Sequence, residues 1–217
     1  MKYQYIPTNN IVSVGIDIKN QEIQNIKQTL HSSYNSNYNT SPHITLLIAP
    51  INEDNYKNLI KEIIFFLESI SSFYIKIKEV KRENNFFYLL VSKNKLYKLH
   101  KELIKLSKKY TKNYIREKDF NRIKKQYFTE QEIVNIKKYN YSKVLDSYIP
   151  HITLGNINST KDVNYKDINN YINTKLTNII NKTIKIDKIK ILYHTDNIDQ
   201  SKMKILYEKQ VELSNKT

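Results

Sequence analysis

Pro42-His43-Ile44-Thr45-Leu46 and Pro150-His151-Ile152-Thr153-Leu154 are the same five residues, 108 positions apart in a chain of 217. In a β-strand, residues i and i+2 project to one face and i+1 to the other. His43 and Thr45 therefore share a face, with Ile44 turned into the core, and His151, Thr153 and Ile152 repeat the arrangement. Each proline suits the first position of a strand, where its missing N–H does least harm.

The sequence around both copies alternates between strand and helix patterns. Residues 11–18 (IVSVGIDI) are short and β-branched, a buried strand. Residues 21–32 carry an apolar helical stripe at Ile23, Ile26 and Leu30. After a polar loop over 32–41, HITLLI (43–48) is a strand, 52–71 an amphipathic helix and 73–80 (FYIKIKEV) an alternating strand. A polar turn at 81–85 leads to strand 86–91 (FFYLLV) and helix 95–109. Residues 110–148 form the longest irregular stretch. Within it Thr129-Glu130-Gln131-Glu132 is a capping box that starts a helix to about 139. The second motif follows as strand 151–154, then a helix at about 162–181 and strands at about 184–194 and 203–213.

Strand, helix, HIT strand, helix and strand thus occur over 11–83 and again over 86–213. This predicts a duplication with pseudo-two-fold symmetry, and no Gly-, Ser- or Pro-rich linker separates the halves. We expect one bilobal domain over 1–217 with an insertion at about 110–148, which could be a lid, a specificity loop or an exposed excursion. Packed about such an axis, the two His-Thr faces would meet across a cleft. Two imidazoles and two hydroxyls around one small volume suit phosphodiester cleavage. One imidazole takes a proton from the attacking oxygen and the other protonates the leaving oxygen. The hydroxyls donate to the non-bridging oxygens as charge builds there.

Composition excludes more than it assigns. The absence of Cys removes disulfides, thiolate nucleophiles and cysteine-ligated zinc. The five histidines (31, 43, 100, 151 and 194) are too scattered to suggest a metal site. No signal-peptide pattern or run of about 18 apolar residues is present, so the expected setting is cytoplasmic, without a membrane partner. The net charge of +15 agrees with a phosphate-bearing partner. It also accompanies abundant Ile, Asn, Lys and Tyr with few Gly and Pro, as AT-rich codon usage produces, which suits a large DNA virus or a phage and equally many cells.

The paired HxT strands in duplicated halves resemble the 2H phosphoesterase superfamily, the group of RNA 2′,5′-ligase-like and cyclic phosphodiesterase proteins. The resemblance runs from about 11 to 213 and includes the approach to the second motif, YSKVLDSYIPHITLG (141–155). It implies an α+β, bilobal fold with two antiparallel sheets facing a central cleft and helices outside. It further implies His43 and His151 as the acid–base pair, Thr45 and Thr153 as phosphate ligands, and no metal or other cofactor. The activities it implies are opening 2′,3′-cyclic phosphates, cutting 2′,5′-linked nucleotides and trimming RNA ends. In some viral members the implied targets are 2′,5′-oligoadenylates or cyclic dinucleotides of host defence, which would place the protein in the host cytosol. The expected partner is a nucleotide or short RNA, bound by a monomer. The alternative is a non-catalytic nucleotide-binding module that keeps the cleft.

Tyr88, Tyr148, Tyr193 and Tyr207 lie on or beside strands that could line the cleft and stack on a base. The first three are the candidate substrate contacts, with Tyr148 best placed by its distance of three residues from His151. His194 reads as a solvated strand-end residue, His31 and His100 as surface residues on helices, and Arg82 as part of a solvated turn. Gly155 reads as a backbone device, a bulge or strand end.

Overall fold

In the computed structural model, which describes residues 5–37, 40–157, 164–195 and 203–214, the apolar alternation becomes strands wherever it was expected. The first repeat consists of β2 (Asn10–Asp17), α1 (Gln21–Tyr34), β3 (His43–Pro50), α2 (Tyr56–Glu68) and β4 (Phe73–Glu83). The second consists of β5 (Phe86–Val91), α3 (Asn94–Thr111), β7 (His151–Asn156), α6 (Tyr165–Leu176), β8 (Thr183–Ile186) and β9 (Lys188–Thr195). A short β1 (Ile6–Thr8) precedes them and β10 (Ile205–Glu212) follows. Asn20 caps α1 by accepting from the Ile23 amide at 3.0 Å, and Asn35 ends it at φ 53°. With two glycines in the chain, asparagine takes most left-handed positions, at 35, 84, 113, 140 and 181.

Apart from β1, these strands form one eight-stranded antiparallel sheet in the order β10-β9-β2-β3-β7-β5-β4-β8. The α+β class is as expected, and the two expected sheets are the halves of this single sheet. They meet at β3 and β7, which pair through Ile44 and Ile152. The closing strands are exchanged between the repeats: β4 of the first pairs with β5 of the second, and β9 of the second pairs with β2 of the first. The halves of the sheet therefore interleave along the chain and do not divide it near residue 84.

Residues 184–194, read above as one strand, are two. The inward positions run half-buried Ile184 and buried Ile186, then buried Ile189 and Ile191, a change of phase across Asp187. Since side chains alternate strictly, the phase slip forces a break. β8 joins the far edge of one half and β9 enters the other.

The stretch 110–148 is not irregular. It contains β6 (Tyr114–Arg116), paired in parallel with β1, then α4 (Glu117–Lys124) and α5 (Glu130–Tyr139) with the predicted capping box. Arg116 and Asp119, both buried, form an ion pair at 2.6 Å. The Asn135 amide donates to the carbonyl of Ser142 at 2.9 Å and to the Ser147 hydroxyl at 3.1 Å, folding the segment back toward the second motif.

Both motif strands carry a bulge in the same place. Gly15 pairs with Thr45 and Val14 with Leu47, so Leu46 is the extra residue. Tyr88 pairs with Thr153 and Phe87 with Gly155, so Leu154 is extra. The bulge lets two consecutive residues turn inward, and Leu46, Leu47, Leu154 and Gly155 are all buried. Gly155 follows the bulge for a packing reason. A Cβ there would sit 2.8 Å from the Ser36 hydroxyl and 3.1 Å from Leu30. That hydroxyl accepts the Asn156 amide at 3.0 Å, so it has little freedom to move. Gly155→Ala is expected to lower stability by about 1–3 kcal/mol in urea denaturation.

Candidate functional site

The Ile44–Ile152 pair determines how the four candidate residues meet. β3 and β7 are antiparallel, so this register sets Thr45 beside His151 and His43 beside Thr153. Both isoleucines are fully buried on the helix side of the sheet. The neighbouring positions 43, 45, 151 and 153 consequently share the opposite face, and all four are half-buried. The side chains expected to confront each other across a cleft stand side by side on the two central strands.

Each motif histidine is aimed in the same way. His43 Nδ1 lies 2.9 Å from the Ser41 carbonyl and His151 Nδ1 lies 2.7 Å from the Ile149 carbonyl, two residues upstream in both cases. A carbonyl only accepts, so Nδ1 carries the hydrogen and Nε2 is the atom left for chemistry. The intervening prolines are themselves tied to the neighbouring strands, since Pro42 accepts from the Ile18 amide at 2.8 Å and Pro150 from the Val91 amide at 3.3 Å. Burial pushes both histidines below their ordinary value, and the bonds to Ser41 and Ile149 partly oppose it. The charges of Lys27 and Lys190 push His43 down further and Asp17 raises it, whereas His151 is lowered by His43 and Lys143 and raised by Glu83.

The flanking strands complete the face. Asp17 pairs with His43 in register and forms an ion pair with Lys190 of β9. Tyr88 pairs with Thr153, sets its ring edge-on to His151 at 5.3 Å and donates its hydroxyl to Glu83 at 2.6 Å. Burial and Glu83 push that phenol up to about 12, so it stays protonated. Phe86 contacts His151 edge-on at 5.8 Å. Beside Thr45 and His151 a pocket of about 150 Å³ opens between Tyr88 and Phe86 on one side and Tyr141, Lys143 and Tyr148 on the other. The insertion thus supplies one wall of it.

The aromatic candidates fare unequally. Tyr88 faces the site. Tyr148 lines the pocket, but its ring is stacked on His100 at 3.9 Å and its hydroxyl donates to the Thr45 carbonyl at 3.0 Å, so one of its faces is already covered. Tyr193 lies on the helix side of β9, one position out of phase with Lys190, and stacks on Tyr56 of α2 at 4.0 Å. It does not reach the site, and Tyr207, its register partner, shares its side. His194 is buried, with Nε2 3.1 Å from the Ser13 hydroxyl, rather than solvated. His31 is exposed, and Arg82 lies exposed over the Tyr165 ring, both in keeping with the reading above.

Two residues near the motifs escaped the sequence reading. His100, expected at the surface, is 2% exposed. Its Nδ1 donates to the carbonyl of the bulge residue Leu46 at 2.7 Å, and its Nε2 accepts from the Leu145 amide at 3.0 Å. Leu145 holds φ 50°, a left-handed conformation costly for a leucine, and this bond helps to hold it. Lys27, 1% exposed, donates to the Thr153 carbonyl at 2.8 Å. The signal for both was a polar residue inside an apolar helical stripe: Ile23-Ile26-Lys27-Leu30 and Leu96-Leu99-His100-Leu103 have the same spacing.

Among the described residues, no three His, Cys, Asp or Glu side chains are grouped so as to hold a metal ion, and no helix is long and apolar enough to cross a membrane.

A curled antiparallel sheet with helices on one side and two HxT strands at its centre defines the class of 2H phosphoesterases. The sequence profile of the 2′-5′ RNA ligase superfamily matches residues 16–197, and the chain belongs to that superfamily. Comparison with curated protein sequences finds no match. Among solved structures, the chain is similar to TT0787 of Thermus thermophilus, with 8% identity over 93% of this chain and 97% of that one and a TM-score of 0.57. A phosphoesterase structure shares 10% identity over 95% of this chain and 99% of that one, with a TM-score of 0.51. E. coli LigT complexed with 3′-AMP shares 10% identity over 94% and 99%, with a TM-score of 0.49. At such identities the structural likeness concerns the fold, and the superfamily assigns the kind of activity, phosphoester chemistry.

Proposed function

We propose that the protein is a metal-independent phosphodiesterase that hydrolyses a 2′,5′- or 2′,3′-type nucleotide linkage by two-histidine acid–base catalysis. The reading rests on one observation: the Ile44–Ile152 register gathers His43, Thr45, His151 and Thr153 on one face, with both Nε2 atoms left for chemistry. One Nε2 accepts a proton from the attacking water as its oxygen bonds to phosphorus. The other donates a proton to the leaving oxygen as its bond to phosphorus breaks. Thr45 and Thr153 are positioned to donate to the non-bridging oxygens. The substrates that suit the face are cyclic dinucleotides with a 2′ linkage, 2′,5′-oligoadenylates and RNA 2′,3′-cyclic ends, acted on by a monomer in the cytoplasm.

The test is a panel of 2′,3′-cyclic mononucleotides, 2′,5′-oligoadenylate, mixed-linkage and 3′,5′-linked cyclic dinucleotides and short RNAs, assayed in EDTA. Turnover of a substrate with a reacting 2′ oxygen is the expected result. Activity that disappears in EDTA and returns with a divalent cation would exclude the metal-free mechanism, and binding without turnover across the panel would favour a nucleotide-binding module. With an active substrate, kcat/KM should follow a bell against pH, its limbs reporting the two histidines. Both limbs should lie below the ordinary imidazole range, because burial lowers both histidines. A profile flat between about pH 5 and 8 would count against the paired imidazoles.

A further inference from the structure

The two helices that connect the first and second strands of each repeat treat the motif strands alike in geometry and differently in charge. Lys27 and His100 occupy the same place in their stripes, and each reaches across to the motif strand of the other repeat. At the first motif the Thr45 and Leu46 carbonyls are satisfied by neutral donors, the Tyr148 hydroxyl and the His100 ring. At the second, the Thr153 carbonyl, equivalent to that of Thr45, is satisfied by an ammonium. A neutral donor would serve the same hydrogen bond, as Tyr148 does. Burying an ammonium is costly, so its charge calls for a use beyond that bond.

We propose that Lys27 is a positioning cation: held beneath the seam between the motifs, it makes His43 the general base and leaves His151 to serve as the acid. The inference rests on the two-histidine reading above and adds the division of roles. Around His43 stand Lys27 from α1, Asp17 from β2, Lys190 from β9 and His151 from β7. Asp17 is bound to Lys190, so these two largely offset each other and Lys27 remains in excess. Around His151 stand Glu83 from β4, Lys143 from the insertion and His43, and Lys143 is paired with Glu132 at 2.8 Å. An uncompensated positive charge therefore acts on His43, whereas at His151 Glu83 opposes Lys143 and His43, so the neutral imidazole is favoured more strongly at the first than at the second. Burial lowers Lys27 to about 8, which still leaves it a cation at neutral pH. In the forward reaction, His43 Nε2 takes the proton of water as the water oxygen bonds to phosphorus. The bond from phosphorus to the leaving oxygen breaks, and that oxygen receives the proton from His151 Nε2.

The experiment is a histidine titration followed by NMR on the free protein, in the wild type and in Lys27→Met and Lys27→Gln. Methionine removes the buried charge with little change of volume, and glutamine keeps a donor, so a packing fault in one is controlled by the other. In both variants the His43 midpoint should move to higher pH and His151 should move less. The acid-side limb of the kcat/KM profile should shift upward with His43 while the alkaline limb stays. An unmoved His43, or a larger shift at His151, would overturn the assignment. If no phosphodiester is turned over, the functional reading fails by itself and the NMR titration still decides the role of Lys27.

Discussion

If the proposed mechanism holds, replacing His43 or His151 by alanine should reduce turnover of the active phosphodiester by roughly 10²–10⁴-fold, with substrate binding retained. The two effects are not additive, because removing either group stops the same proton relay; the double variant should be little slower than the worse single one. Both residues are half-buried and each Nδ1 bonds one carbonyl of its own approach segment. The variants should therefore fold, and their far-UV spectra should match the wild type. Thr45→Val and Thr153→Val, which keep the shape and delete the hydroxyl, should cost less, roughly 10-fold or more in kcat. Single-turnover rates with saturating substrate separate these cases from a loss of binding. Unchanged turnover in both histidine variants would remove the assignment of the site.

Acid should destabilise the fold through His100. Burial lowers its folded-state value to about 4 from the ordinary 6.5. Between these values the unfolded chain binds the proton and the folded protein does not. Stability is therefore fully present above about pH 6.5 and is lost as pH falls toward about 4, with a limit of about 3 kcal/mol. The structural reason is that Nε2 accepts the Leu145 amide, and a proton there would turn an acceptor into a second donor facing it. His43 and His151 are also lowered by burial and contribute slope in the same direction, so the comparison with a variant isolates His100. His100→Leu should be less stable near neutral pH, since it strands the Leu46 carbonyl and the Leu145 amide, but should show a flatter decline with acid. Urea denaturation at a series of pH values between about 4 and 7 measures both. Equal slopes in the two proteins would show that His100 is not the acid-sensitive group.

The residues of the candidate site were legible because strand parity is a local property. His43 with Thr45, and His151 with Thr153, had to share a face once each pentapeptide was a strand, whatever lay around it. The repeat was legible for the same reason, as a succession of local patterns. Tyr193 was misplaced because parity tells which residues share a face but not which face borders the site, and that depends on how β9 enters the sheet beside β2. The same limit applied to Lys27 and His100. Both sit within apolar stripes, yet His100 read as a surface residue, because only the crossing of each helix onto the other repeat's strand supplies the carbonyls that make burial tolerable.

The insertion marks the boundary clearly. An offset of 73 relates Gly15 to Tyr88 and Lys27 to His100, whereas 108 relates His43 to His151, so about 35 residues lie between α3 and β7 beyond what the first repeat needs. The sequence alone determined that those residues were extra, and that two His-Thr pairs stood on matching strands. Tertiary structure decided that the extra residues fold into β6, α4 and α5 and wall a pocket beside His151, and that the pairs stand side by side at one seam. The reason is physical: alternation and periodicity are set by neighbours along the chain, while register, strand exchange and the pairing of a buried charge are set by contacts between residues far apart in it.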